Sequence, residues 1–114
     1  QQKEPRRWEN YLKLAFLNYL ANQKRSGHKI ISLLAKALRL NPGNSWLHAY
    51  YGYAVGAYKQ DYPLAMNHID TAIQLANEVA VFHILSSEGY AKLGKHELAD
   101  IEKDKALKLK IKGK

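Results

Sequence analysis

Apolar residues recur along this chain at three- and four-residue steps, the period of α-helices that each bury one face. Trp8, Leu12, Ala15, Phe16 and Tyr19 set the first such face, and Pro5 suits the first turn of that helix, where its missing N–H costs nothing. The pattern fades over residues 22–28, a polar turn containing Ser26 and Gly27. A second face carries Ile30, Ile31, Leu34, Ala37 and Leu38 and closes at Leu40, where Asn41-Pro42-Gly43-Asn44 stops it. Asn44 or Ser45 can cap a third helix holding Trp46, Leu47, Tyr50, Tyr51, Ala54 and Tyr58. Asp61 can cap a fourth, with Pro63 in its first turn and Leu64, Ala65, Ile69, Ala72, Ile73 and Leu75 inward; Asn77 is expected to end it in a left-handed conformation. A fifth helix runs from about Glu78 through Val81, Phe82, Leu85, Tyr90 and Leu93 to a terminating Gly94. The sixth runs from about His96 through Leu98, Ala99, Ile101, Ala106 and Leu109, with a frayed basic tail at 110–114. No long segment alternates with a two-residue period, so no sheet is expected. The prediction is an all-α chain of six helices in three hairpins.

The hairpins repeat one another. Ala37, Ala72 and Ala106 stand 35 and 34 residues apart, and Leu40, Leu75 and Leu109 keep the same spacing. A period near 34 built from paired helices marks a helical repeat. Such arrays present a surface to a partner more often than they enclose a reaction centre.

The pattern resembles the tetratricopeptide repeat family, a helix-turn-helix unit of 34 residues. The third unit keeps Tyr90, Gly94, Ala99, Ala106 and Leu109 at the family's positions. The second keeps Gly52, Asp61-Tyr62, Ala65, Ala72 and Leu75, with one extra residue between Gly52 and Ala65. The first keeps Ala37, Leu38, Leu40 and the Asn-Pro-Gly-Asn ending at 41–44, while Ile30 or Ile31 stands where the family prefers a small residue. Small residues at Ala65 and Ala99 mark points where two helices approach closely. The resemblance implies one domain, a right-handed α-α superhelix with units at about 5–43, 44–77 and 78–109. It covers nearly the whole chain; the alternative is an unrelated six-helix bundle.

Inner helices of the family line a concave groove that takes a peptide or a partner helix. Carried over, the groove would hold Leu12, Ala15 and Tyr19 from the first unit. The second would supply Trp46, Ala49, Tyr53 and Ala57, and the third Val81, Ile84, Glu88 and Lys92. Trp and Tyr bring large contact area at low entropy cost. Tyr53 fits a groove or a core equally well, whereas Tyr51 fits a core. Some family members clamp a C-terminal carboxylate with lysine, arginine and asparagine. The matching places here are Ala15, Tyr19, Ala49 and Ile84, which points to a more apolar ligand.

Composition narrows the classes. The chain has 114 residues, 46% apolar, with eight tyrosines and two tryptophans, which suits a packed domain of modest core. It has no cysteine, so neither a disulfide framework nor a thiolate metal site is available. No stretch reaches the roughly 18 apolar residues of a membrane span, and a soluble chain is expected, the cytoplasm favoured. The opening QQKEPRRW, with no initiator methionine, reads as an excised fragment or processed form. Net charge is +8. Residues 1–40 carry nine basic and two acidic side chains, residues 41–93 two and four, and residues 94–114 seven and four. Arg6-Arg7, Lys24-Arg25 and the lysines at 103, 105, 108, 110, 112 and 114 are the basic clusters. Asp100, Glu102, Lys103 and Asp104 read as a solvated capping face, while Lys108 onward lacks acidic partners in the pattern.

Catalytic signals are weak. The histidines His28, His48, His68, His83 and His96 form no HExxH, and no phosphate-binding glycine loop is present. His48 and His83, 35 residues apart, read as equivalent packing positions in two repeats rather than ligands of a shared metal. Ser86-Ser87-Glu88 has His83 three residues before Ser86, but small serines at a helix crossing account for it. The sequence therefore predicts a non-enzymatic protein-interaction module with no cofactor and no metal. Its partner would be a peptide or helix of another protein. A nucleic-acid or anionic-membrane surface and a homo-oligomerising assembly domain are the alternatives.

Overall fold

The computed structural model describes residues 7–21 and 26–112, excepting the side chains of 111 and 112. They form six α-helices: α1 (Trp8–Ala21), α2 (Gly27–Leu40), α3 (Ser45–Lys59), α4 (Tyr62–Leu75), α5 (Ala80–Lys92) and α6 (His96–Lys112). No strand occurs among the described residues. Pro5, Arg6, Lys24, Arg25 and Lys114 fall outside them, and so do the side chain of Lys112 and most of the first polar turn. No helix among them is long and apolar enough to cross a membrane.

Helices pair as α1/α2, α3/α4 and α5/α6, and the hairpins stack through α2 on α3 and α4 on α5. The stack is elongated, 48 × 29 × 22 Å. One core cluster joins the first two hairpins through Ala15, Ile30, Ile31, Leu33, Leu34, Ala54, Val55 and Ala65. A second joins the last two through Ala49, Ala72 and Phe82.

Local chemistry sets most helix ends. The Asn44 side chain accepts from the Leu47 N–H at 3.1 Å and that of Asp61 from the Leu64 N–H at 3.2 Å. Caps of this kind contribute about 1 kcal/mol each. Gly94 takes φ +78, the left-handed region, and lets the chain reverse between α5 and α6. Asn77 does not end α4 in this way: the cap is Ala76 at φ −153, with its N–H bonded to the Ala72 carbonyl. The left-handed cap belongs instead to Gln60, at φ 54, after α3. α3 has 15 residues and α5 has 13, so the residue inserted between Gly52 and Ala65 is absorbed by a longer α3 and a left-handed exit.

The end of the chain also departs from expectation. Residues 110–112 continue α6 rather than fray, and Lys108 is not unpaired, since its Nζ lies 3.2 Å from Asp104. Lys, Leu and Ile sustain a helix until a breaker arrives, and an i,i+4 pair adds a little. Each half of the alanine–leucine period has its own role. Ala37, Ala72 and Ala106 are buried, whereas Leu40 and Leu75 are exposed last residues of α2 and α4. Positions one period apart from buried Ile31 and Met66, and from buried Leu34 and Ile69, hold exposed Asp100 and Lys103 on α6. The outer face of α6 is thus charged where α2 and α4 bury apolar side chains.

Candidate functional site

The odd-numbered helices α1, α3 and α5 bring aromatic side chains together along one side of the stack. Phe16 of α1 meets the Tyr50 ring of α3 edge-on at 5.3 Å. Tyr50 lies 5.7 Å from Trp46, and Trp46 packs edge-on at 4.8 Å against Phe82 of α5. Phe82 is fully buried, while Phe16 is 45% and Trp46 41% exposed. The rings form one continuous wall from the first hairpin to the third. Edge-to-face pairs contribute about 0.5–1.5 kcal/mol each beyond area burial, so the wall is held in place without a ligand.

Phe16, Tyr50 and Trp46 of this wall line a cavity of about 260 Å³, while the fully buried Phe82 does not reach it. Ala15, Phe16 and Tyr19 line it from α1, Ile30 and Leu34 from α2, Trp46, Ala49, Tyr50, Tyr53, Ala54 and Tyr58 from α3, and Val81 and Leu85 from α5. None of these side chains is charged. Polar atoms enter mainly as phenolic hydroxyls. Burial pushes the Tyr50 hydroxyl above its ordinary pKa, and burial with nearby Tyr19 and Tyr53 does the same at Tyr58, so Tyr50 and Tyr58 stay neutral donors.

Tyr53, 46% exposed, stands with Leu85 between this cavity and a neighbour of about 290 Å³. Ala57, Gln60, Glu88 and Lys92 line that second space with Gly52 and Gly56. A third, of about 390 Å³, lies between α5 and α6 and includes Ile84, Glu88, Asp100 and Lys103. The groove set read from the sequence is therefore divided. Ala15, Tyr19, Trp46, Ala49, Tyr53 and Val81 line the aromatic cavity. Ala57, Glu88 and Lys92 line the polar one beyond Tyr53, and Ile84 the third. Leu12 lines none of them and packs against the core of the first two hairpins. Phe16 stands in its place, on the side of α1 that meets Tyr50. Tyr50, Tyr58 and Leu85 also join the wall; helix periodicity marks them as apolar-face residues but does not say which neighbour they meet. Tyr51 turns inward, its ring edge-on to His68 at 4.7 Å.

The histidines hold hairpins together. His48 Nε2 lies 2.7 Å from the Pro42 carbonyl, and His83 Nε2 lies 2.8 Å from the Asn77 carbonyl, 35 residues on. A carbonyl only accepts, so both Nε2 atoms donate. Each thus ties the loop before its helix to that helix. The Nδ1 partners are again one period apart, His68 at 3.1 Å for His48 and Glu102 at 2.7 Å for His83. His48 and His68 rings are within 22° of parallel with centroids 5.3 Å apart, so the two Nδ1 atoms meet head-on. That is the geometry of a hydrogen bond, with His68 donating to His48, not of two lone pairs converging on a metal. Burial and then His48 hold the His68 pKa below its usual value.

His83 is buried, and both of its ring nitrogens face acceptors, Nδ1 the Glu102 carboxylate and Nε2 the Asn77 carbonyl. Burial alone would raise the Glu102 pKa, but hydrogen bonds from His83 and Lys105 outweigh it and keep it below its usual value. Ser86 and Ser87 are buried at the helix crossing, and the His83 nitrogens are committed elsewhere. Among the described residues no three metal-ligating side chains gather.

No protein-family model matches the sequence, and no curated protein matches it. Solved structures do. MamA MSR-1 (C2) aligns with TM-score 0.80 at 22% identity, over 99% of this chain and 63% of that one. Another crystal structure of MamA gives 0.81 at 18%, over 95% and 61%. The second TPR of Spaghetti (RPAP3), bound to the HSP90 peptide SRMEEVD, gives 0.76 at 17%, over 90% and 94%. The chain spans less than two thirds of either of these MamA chains. Its fold is that of tetratricopeptide repeats, a right-handed α-α superhelix of three hairpins.

Proposed function

We propose that this chain is a non-enzymatic protein-interaction module that takes a peptide or helix of a partner protein on the face formed by α1, α3 and α5. The observation that carries this reading is the aromatic wall of Phe16, Tyr50 and Trp46, backed by the buried Phe82, which lines an open cavity with no charged lining residue. Half-exposed rings in a fixed concave wall suit burial against a partner's apolar side chains. The RPAP3 neighbour holds the acidic peptide SRMEEVD. The cavity here has no lining cation for a carboxylate, so its ligand is read as apolar at the contact. The anchoring residues are Trp46, Tyr53, Phe16 and Val81, with Ala15, Tyr19 and Ala49 shaping the floor.

The test is a peptide selected against the wild-type chain and then titrated against Trp46→Ala. Loss of a central aromatic anchor costs about 2 kcal/mol, some thirtyfold in Kd. Equal affinity for wild type and a folded Trp46→Ala chain removes the assignment. A second reading, self-association, rests on α1: Leu17 and Leu20 are 60% and 77% exposed, and Leu14 is exposed beside them. Leu17→Glu should then lower the sedimentation coefficient at high protein concentration. A coefficient independent of concentration in the wild type rejects it.

A further inference from the structure

Resting on that reading of the cavity, we propose that its occupant is an amphipathic α-helix with an aliphatic or aromatic face and a net acidic polar face. The wall decides between helix and strand. An extended segment brings one N–H and one C=O per residue, and leaving one buried without a partner costs about 1–3 kcal/mol. Apart from tyrosine hydroxyls and the Trp46 indole N–H, the wall side chains offer nothing to pair with them. A helix satisfies its own backbone and presents only side chains.

Charge selects which helix. Residues 1–59 hold ten basic and two acidic side chains, whereas residues 60–114 hold eight of each, so the entire +8 resides in the first part. That part supplies α1, α2 and α3, which form the cavity except for Val81 and Leu85. Among the described residues of that part the charges are Arg7, Lys13, Lys29, Lys36, Arg39 and Lys59 against Glu9, so a helix seated there meets a net positive field, screened over about 8 Å at physiological salt. Acidic groups on the helix's polar side accelerate encounter and slow escape. A phosphate surface would feel the same field but has nothing to bury against Phe16, Trp46 and Val81.

The experiment uses synthetic peptides of about 18 residues with identical leucines at i, i+3, i+4 and i+7. Their polar positions are Glu, Gln or Lys, and a fourth carries Glu with two interior prolines. Calorimetry at low salt should rank Glu above Gln above Lys, with Glu and Lys at least tenfold apart and the gap closing in high salt. Prolines should cost the Glu peptide at least tenfold. Trp46→Ala, or Tyr53→Ala should the first not fold, should weaken Glu and Gln peptides alike. A proline-containing peptide that binds as well as its parent overturns the helix, and a Lys peptide that binds as well as Glu overturns the acidic face. In either case, Gln-peptide binding that Trp46→Ala abolishes leaves the groove reading standing. Phosphatidylserine vesicles that bind while no peptide does overturn both, and so does the absence of any binding.

Discussion

Gly52 and Gly56 lie one turn apart on the side of α3 that meets α4, and the same substitution at each should have opposite signs. A Cβ on Gly52 would stand 2.8 Å from the Ala65 carbonyl oxygen and 2.9 Å from Ile69 Cγ1. A Cβ on Gly56 would stand 3.5 Å from the Ala65 Cβ, an ordinary contact. Optimal contacts between non-bonded carbons lie at about 3.5–4.0 Å, so Gly52→Ala overlaps by more than half an ångström. One clashing atom is backbone and cannot rotate away; α3 and α4 must separate. Overpacking of this kind costs about 1–3 kcal/mol, against about 1 kcal/mol that alanine gains over glycine in a helix. Gly52→Ala should therefore destabilise by up to about 2 kcal/mol, while Gly56→Ala should stabilise by about 0.5–1 kcal/mol. Urea unfolding followed by far-ultraviolet circular dichroism measures both. Tyr53 follows Gly52 in the chain and lines the aromatic cavity, so Gly52→Ala should also weaken any ligand held there. A Gly52→Ala chain as stable as Gly56→Ala would refute the close approach of α3 and α4.

Other outcomes follow from the polar contacts. The lowered His68 pKa means that the folded chain binds fewer protons than the unfolded one, so stability is full above about pH 6.5 and falls as pH drops through it. Replacing His68 by Asn should flatten that loss between pH 7.5 and 5.5; an unchanged slope contradicts the head-on pair. Glu102→Ala leaves the buried His83 donor without its partner and should cost about 2–3 kcal/mol, whereas Lys105→Ala, at an exposed end of the same cluster, should cost under about 0.5 kcal/mol. The Glu102 contribution is present above its usual pKa of 4.5 and is lost as pH falls below it, which acid unfolding of wild type and variant will show. Gly94→Ala has open space for its Cβ but sits at φ +78, so strain alone should cost about 1 kcal/mol, less for Asn. A neutral Gly94→Ala thermal midpoint would disprove it.

What could be read from the sequence has short range. Helix periodicity, the Asn44 and Asp61 caps, Gly94 and the recurring alanines depend on neighbours within a turn or on the repeat itself, and they determined six helices, three hairpins and the stacking order. The left-handed cap was misplaced at Asn77 because Asn is only permissive there; Gln60 takes it because the inserted residue must exit α3 somewhere. What only the tertiary structure decided involves residues brought together across hairpins. Phe16 rather than Leu12 meets Tyr50, since helix periodicity puts both on one face and only packing against α3 decides between them. The matched pairs His48–His68 and His83–Glu102 were visible as single positions one period apart, but their hydrogen bonds exist only once α3 lies on α4 and α5 on α6. The division of the inner face into an uncharged aromatic cavity and a polar one beyond Tyr53 arises in the same way: a helical wheel says which residues leave the helix together, and only the neighbouring helix decides what they enclose.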